Sequence, residues 1–76
     1  MTLTELVAAV LEAAPEEVTE QTTRQDLAEW TSLAHIKLVV ALEEAYGVSL
    51  SVADIKALTG VAAARRLLAD RHAAVD

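Results

Sequence analysis

The hydroxyl of Ser32 is in a position that favours chemistry, because it directly precedes a long apolar segment with helical periodicity. A serine at such a place most often serves only as the helix cap, accepting a hydrogen bond from an amide of the first turn. His35 follows one helical turn later, so a hydrolytic pair of Ser32 and His35 is an alternative. No acidic residue that would orient the histidine and no glycine-flanked oxyanion site accompanies the pair, which argues against a hydrolase.

Metal and thiol chemistry have little support in the composition. Cysteine is absent, which excludes disulfides, thiolate nucleophiles and cysteine metal sites, and is compatible with the reducing cytoplasm. His35 and His72 are the two histidines, and no further ligands at suitable spacing accompany them. We therefore expect a cytoplasmic protein without a bound metal.

The charge of the chain limits its partners. A formal net charge of −6 would be repelled by nucleic acids and by anionic membrane surfaces. The longest apolar run, from Leu6 to Leu11, is far too short to cross a bilayer. Basic patches on other proteins would attract the chain and raise its encounter rates. We therefore expect a soluble protein whose partners are proteins and include neither nucleic acid nor membrane.

The elements that must position Ser32 are predicted to be helices of one domain, residues 1–76, because the chain is too short for two cores. With no Phe, one Trp and one Tyr, the core must come from Ala, Leu, Val and Ile. Helix one begins at a capping box, Thr2 to Glu5, and runs to about Ala13. Pro15 disfavours its continuation.

Three further helices follow, and the second helix is uninterrupted by Gly or Pro until Gly47, which suits a left-handed cap. The predicted elements are helix two from Ser32 or Leu33 to Tyr46, a short third helix starting at Ser51 and carrying Ile55 and Leu58, and a last helix from about Val61. The sequence therefore predicts an all-α antiparallel four-helix bundle with three main helices and a short third helix.

A long loop without sustained periodicity, residues 15–31, connects helices one and two. Connections of this length in a compact domain are normally functional or anchored by their own apolar side chains. Val18, Leu27 and Trp30 are the predicted anchors. Trp30 would fix the direction of Ser32 by packing half-buried against helix two, and a direct partner contact is the alternative role for its ring.

Helix two carries two stripes at helical spacing. We assign the first stripe to the core; it consists of Ile36, Val39, Leu42 and Tyr46. The second stripe mixes aliphatic and charged residues; it consists of Leu33, Lys37, Val40 and Glu44. Periodicity leaves two interpretations of this second stripe open, a helix buried on more than one side or a docking surface that begins at Ser32.

Three segments at fixed separations carry a resemblance to a known family. They are DLAEWTSL at 26–33, LEEAYGV at 42–48 and LTGV at 58–61. This series resembles the acyl carrier protein family, whose members have an Asp-Ser-Leu motif at the start of the second helix, a Leu-Glu-Glu-x-Phe-Gly-like segment, and Thr-x-Val opening the last helix. The resemblance covers essentially the whole chain.

The resemblance implies that a phosphopantetheinyl transferase esterifies Ser32 with 4′-phosphopantetheine from coenzyme A. The thiol of that arm would carry an acyl or aminoacyl group as a thioester, and the core would partly shelter the cargo. The protein would then be a non-catalytic, monomeric carrier that meets a loading enzyme and an acyltransferase or ketosynthase. The rival interpretation is a small acidic helical adaptor in which Ser32 is only a cap.

The sequence departs from the family pattern at Thr31, which replaces the usual Asp, and at Ala34, His35 and Lys37, where carriers of bulk fatty-acid synthesis often have acids. This less negative surface favours a dedicated pathway, such as polyketide or related specialised synthesis. His35 is expected at the surface. The predicted partner contacts are Glu29, Trp30, Thr31, Leu33, Lys37, Val40, Glu43 and Glu44.

Overall fold

Four α-helices and no strands make up the chain, whose computed structural model describes residues 1–76. The helices are α1 (Leu3–Leu11), α2 (Ser32–Tyr46), α3 (Val52–Ala57) and α4 (Val61–Asp70). This arrangement confirms the predicted all-α four-helix fold with a short third helix. None of the four combines the length and apolar character that a membrane span requires.

Helix α1 begins at the predicted capping box and ends earlier than expected. The Thr2 amide donates to the Glu5 carboxylate at 2.7 Å, and this hydrogen bond lowers the pKa of Glu5 below its ordinary value. The predicted end near Ala13 was wrong, because Glu12 adopts a left-handed conformation with φ of 55°. The Ala13 amide then bonds back to the Ala8 carbonyl, which closes the helix at Leu11.

The connection between α1 and α2 contains two short 3-10 turns, Pro15–Glu17 and Arg24–Asp26. The three predicted anchors are confirmed, since Val18, Leu27 and Trp30 are all buried in the core. The loop therefore packs on the bundle along its length, as expected for a long ordered connection.

The hydrophobic core lies between α1, α2 and α4, with the loop anchors and one residue beyond α3 completing it. Its members are Leu3, Val7, Ala8, Leu11, Val18, Leu27, Trp30, Leu38, Val39, Leu42, Leu58, Val61, Ala64 and Leu68. No cavity opens among these side chains, because the single cleft of the structure is lined by polar residues alone. The predicted shelter for an acyl chain is therefore not preformed.

The loop is joined to the link between α3 and α4 by an isolated antiparallel bridge between Thr23 and Gly60. The Arg24 amide donates to the Thr59 carbonyl at 2.8 Å, and the Val61 amide donates to the Thr22 carbonyl at 3.0 Å. A Cβ atom on Gly60 would lie 2.7 Å from the Thr22 oxygen, closer than real Cβ contacts. Glycine is therefore required at position 60, because the backbone of the loop at Thr22 passes too close for a side chain.

Two ion pairs connect segments that are distant in the sequence. Arg65 on α4 pairs with Glu20 of the loop, with Nε 2.8 Å from Oε2. Arg71 pairs with Asp54 on α3 and also donates to the Ser49 carbonyl at 3.1 Å. The Ser51 amide, and secondarily Arg71, hold the pKa of Asp54 below its ordinary value. The first pair holds the loop on α4, and the contacts of Arg71 hold α3 against the end of α4.

Candidate functional site

Ser32 is the first residue of α2, and its side chain is exposed. The cap of the helix is Thr31, whose Oγ1 accepts a hydrogen bond from the Ala34 amide at 3.1 Å. Because Thr31 performs that task, the hydroxyl of Ser32 is not needed to begin the helix and is available for chemistry.

The start of α2 is suited to an anion. The amides of Ser32 and Leu33 have no acceptor within the chain, since the first turn contributes only the bonds from Ala34 and His35 to Thr31. Unpaired amides at a helix start, together with the helix dipole, favour a negatively charged group. A phosphodiester on Ser32 would therefore fit the donors present at this position.

Arg24 lies beside Ser32, a contact that sequence reasoning missed. Its Nη2 donates to Ser32 Oγ at 3.4 Å. A guanidinium has only donors, so Ser32 accepts this bond and its own proton stays free for another partner. No periodicity or motif marks Arg24 in the loop, and only the fold brings it to the start of α2.

His35 is buried, with 5% of its surface exposed, so the prediction that it lies at the surface was wrong. Trp30 Nε1 donates to His35 Nδ1 at 2.9 Å, and His35 Nε2 lies 3.0 Å from the Ile55 carbonyl oxygen. Since indole can only donate, Nδ1 carries no proton here and Nε2–H is the donor to Ile55. Both ring nitrogens are thus engaged, which contradicts a hydrolytic pair with Ser32.

Trp30 is likewise buried, with 4% of its surface exposed. This confirms Trp30 as an anchor of the loop, and the ring is buried more deeply than the half-burial we expected. A direct partner contact by the ring is contradicted, because the indole faces the core and His35. Glu29 and Thr31, on either side of Trp30, are exposed.

The outer face of α2 carries three exposed aliphatic side chains, which we call the outer stripe: Leu33 at 66%, Ile36 at 55% and Val40 at 47% exposure. Assignment of Ile36 to the core was wrong. The buried face of α2 is instead formed by His35, Leu38, Val39 and Leu42. Ile36 thus adds a third exposed aliphatic side chain to Leu33 and Val40, which favours the docking interpretation.

The charged residues predicted as partner contacts differ in their availability. Lys37 and Glu44 are exposed beside the outer stripe. Glu43 is only half-exposed, and its carboxylate accepts a hydrogen bond from the Leu50 amide at 2.9 Å. No acidic residue lies in the first turn of α2. A partner would meet an apolar surface with mixed charge and no acidic cluster at Ser32.

Comparison with known protein families gives a match that covers most of the chain. A family model described as a phosphopantetheine attachment site matches residues 2–68. The match extends from the cap of α1 into the last turns of α4 and therefore includes every helix of the bundle. No curated protein matches the chain.

The contacts of His35 predict that its substitution lowers the free energy of unfolding much more than substitution of His72 does. His35→Asn shortens the side chain, so it cannot reach both Trp30 and Ile55, and we expect unfolding free energy to fall by about 2–4 kcal/mol. His72 is exposed with φ of 60°, a conformation that Asn tolerates, so His72→Asn should change stability by less than about 0.5 kcal/mol. Chemical denaturation followed by fluorescence of the single tryptophan measures both values. Equal losses in the two variants would contradict the role assigned to His35.

Proposed function

Since this chain belongs to the family of phosphopantetheine-binding carrier domains, which includes the acyl carrier proteins, we propose that Ser32 is the residue that receives 4′-phosphopantetheine. The observation that carries the proposal is the division of tasks at the start of α2. Thr31 caps the helix, and the neighbouring hydroxyl of Ser32 is exposed next to two unpaired amides. A serine with no capping duty at an anion-binding helix start suits phosphoryl attachment.

Attachment would proceed by substitution at phosphorus. The Ser32 oxygen attacks the coenzyme A phosphorus that bears pantetheine, the bond from that phosphorus to adenosine bisphosphate breaks, and the serine proton passes to a base of the transferase. The unpaired amides of Ser32 and Leu33 would be the donors available to the new phosphodiester anion. The attached group supplies a terminal thiol, which the cysteine-free chain does not have, for an acyl or aminoacyl thioester.

We assign the carrier to a dedicated biosynthetic pathway, such as polyketide or related specialised synthesis, and to the cytoplasm. The first turn of α2 has no acid, Thr31 precedes Ser32 where the family usually has Asp, and Lys37 is exposed one turn later. Partners that recognise an acidic patch at this place would lose attraction. The expected partners are the transferase, an enzyme that loads the cargo, and an acyltransferase or ketosynthase.

The outer stripe of Leu33, Ile36 and Val40 supports a docking role for α2. These large aliphatic side chains are exposed together on one helix face that starts beside Ser32. Contiguous exposed apolar groups bordered by charge are typical of protein interaction sites. Glu29, Thr31, Lys37 and Glu44 form the polar surroundings of the stripe, and Glu43 contributes from a half-exposed position.

A non-covalent adaptor is the second candidate function, because the same exposed stripe would serve a partner groove without any prosthetic group. The two candidates differ in their need for coenzyme A. The adaptor would bind its partner as the unmodified chain, whereas the carrier requires a covalent group on Ser32.

Intact-protein mass spectrometry decides between the carrier and the adaptor. After incubation with coenzyme A, magnesium and a promiscuous phosphopantetheinyl transferase, we expect one phosphopantetheine adduct on the wild-type chain. Ser32→Ala should remain unmodified and folded, since Thr31 retains the cap. Ser49→Ala, at an exposed serine outside α2, should be modified like wild type. A folded wild-type chain that accepts no adduct would favour the adaptor.

If α2 is the docking surface, a charge at Leu33 should raise the KM of the transferase, and a charge at the exposed Val52 on α3 should not. Leu33→Asp should raise the KM of the transferase by about tenfold, since an unfavourable charge in an apolar contact costs on the order of 1–2 kcal/mol. Val52→Asp, on α3 at 69% exposure, is the matched control and should leave KM unchanged. Melting temperatures of both variants should stay close to wild type. A large loss of stability in Leu33→Asp alone would identify Leu33 as a packing residue instead.

The dedicated pathway is tested with a ketosynthase of housekeeping fatty-acid synthesis. We expect this enzyme to use the acylated chain at least about tenfold less efficiently than its own carrier, because charge mismatch lowers association rates. Lys37→Glu should recover part of that deficit, and Lys56→Glu on α3, also exposed, should not. Acceptance of the wild-type chain as readily as the housekeeping carrier would contradict the pathway proposal.

A further inference from the structure

The cation beside Ser32 has no carboxylate partner within the chain. Arg65 and Arg71 form the two ion pairs of the structure, and Arg24 forms none, although the chain has twelve acidic and six basic residues. The nearby Asp26 carboxylate instead accepts from the Thr23 amide at 2.8 Å. The single side-chain bond of Arg24 is the 3.4 Å contact with Ser32 Oγ, which leaves most of its donors unused.

The backbone of Arg24 is fixed where this side chain can act. Its amide donates to Thr59, and the bridge between Thr23 and Gly60 holds the loop against the start of α4. Gly60 permits that approach, since a larger residue would collide with the Thr22 carbonyl. The backbone of Arg24 is therefore held within reach of Ser32 by the fold, and little ordering of that backbone is needed for the guanidinium to bind an anion there.

A polar cleft of about 260 Å³ continues from Arg24, lined by Thr23, Arg24, Gln25 and Thr59. It is the single cleft of the structure, and no apolar residue lines it. Pantetheine carries one hydroxyl and two amides between its phosphate and its thiol. Hydroxyl and carboxamide side chains donate and accept hydrogen bonds, so the lining residues suit these groups.

We propose that Arg24 binds the phosphodiester of the attached group and directs the pantetheine arm along the cleft formed by Thr23, Gln25 and Thr59. The inference rests on the attachment of the group at Ser32 proposed above. A guanidinium binds phosphate oxygens through two parallel N–H donors, with a geometry that lysine does not reproduce. In the carrier, the arm lies along the loop side of Ser32, away from the outer stripe, when no partner is bound.

The test uses the modified protein and two NMR readouts that do not depend on any partner enzyme. ³¹P relaxation of the phosphodiester reports its mobility, and backbone amide shifts of unmodified and modified protein report contact at Thr23, Gln25 and Thr59. In Arg24→Gln we expect the transverse relaxation rate of ³¹P to fall by about twofold or more as the phosphate gains independent motion. The shift changes at the three cleft residues should largely disappear.

Two further variants test whether the planar guanidinium is needed, and whether loss of a positive charge elsewhere on the protein has the same effect. Arg24→Lys keeps the charge without the planar fork and should give intermediate relaxation. Arg66→Gln removes the same charge from an exposed position on α4 and should behave as wild type. Amide spectra of each unmodified variant establish that it is folded before modification.

The outcomes distinguish this inference from the function on which it rests. If no adduct forms on any folded chain, both fail. If the adduct forms and Arg24→Gln matches wild type in ³¹P relaxation and in the cleft shifts, Ser32 is the attachment residue and the role of Arg24 alone is overturned. Loss of both signals in Arg24→Gln, with wild-type behaviour in Arg66→Gln, supports the inference.

Discussion

The candidate site depends on the need of a buried imidazole to have both of its nitrogens paired. Leaving either nitrogen of His35 without a partner would cost on the order of 1–3 kcal/mol. Its partners come from opposite directions along the chain, Trp30 in the loop and Ile55 on α3. One side chain of α2 thereby fixes the loop that precedes the helix and the short helix that follows it.

This pairing also sets the rotation of α2 about its own axis. Ser32 and His35 are three residues apart, so their side chains differ by about 60° in helical projection. With His35 directed into the core, Ser32 must lie at the boundary between the buried face and the solvent. Val39 lies at nearly the same angle two turns later and is buried, so the exposure of Ser32 also depends on its place at the very start of the helix.

Prediction from sequence succeeded where local chemistry decided the outcome. The capping box at Thr2, the left-handed end at Gly47 and the three loop anchors needed only neighbouring residues. It failed for His35 and Ile36 because α2 is apolar on two faces, so that periodicity gave the stripes without saying which faced inward. The partners that draw His35 inside lie 5 and 20 residues away. Arg24 was missed for the same reason, since its contact with Ser32 spans an aperiodic loop.

The position of Ser32 at the edge of the buried face places two different surfaces next to one residue. On the helix, the outer stripe lies within about 100° of Ser32 on the solvent side, because Leu33, Ile36 and Val40 recur at helical spacing. The loop brings a cation to the hydroxyl of Ser32, and polar residues line the cleft next to that cation. The core offers no preformed third surface for cargo, because no cavity opens among its side chains. An enzyme docked on the stripe would therefore meet Ser32 with an apolar helix face and a loop cation both next to it.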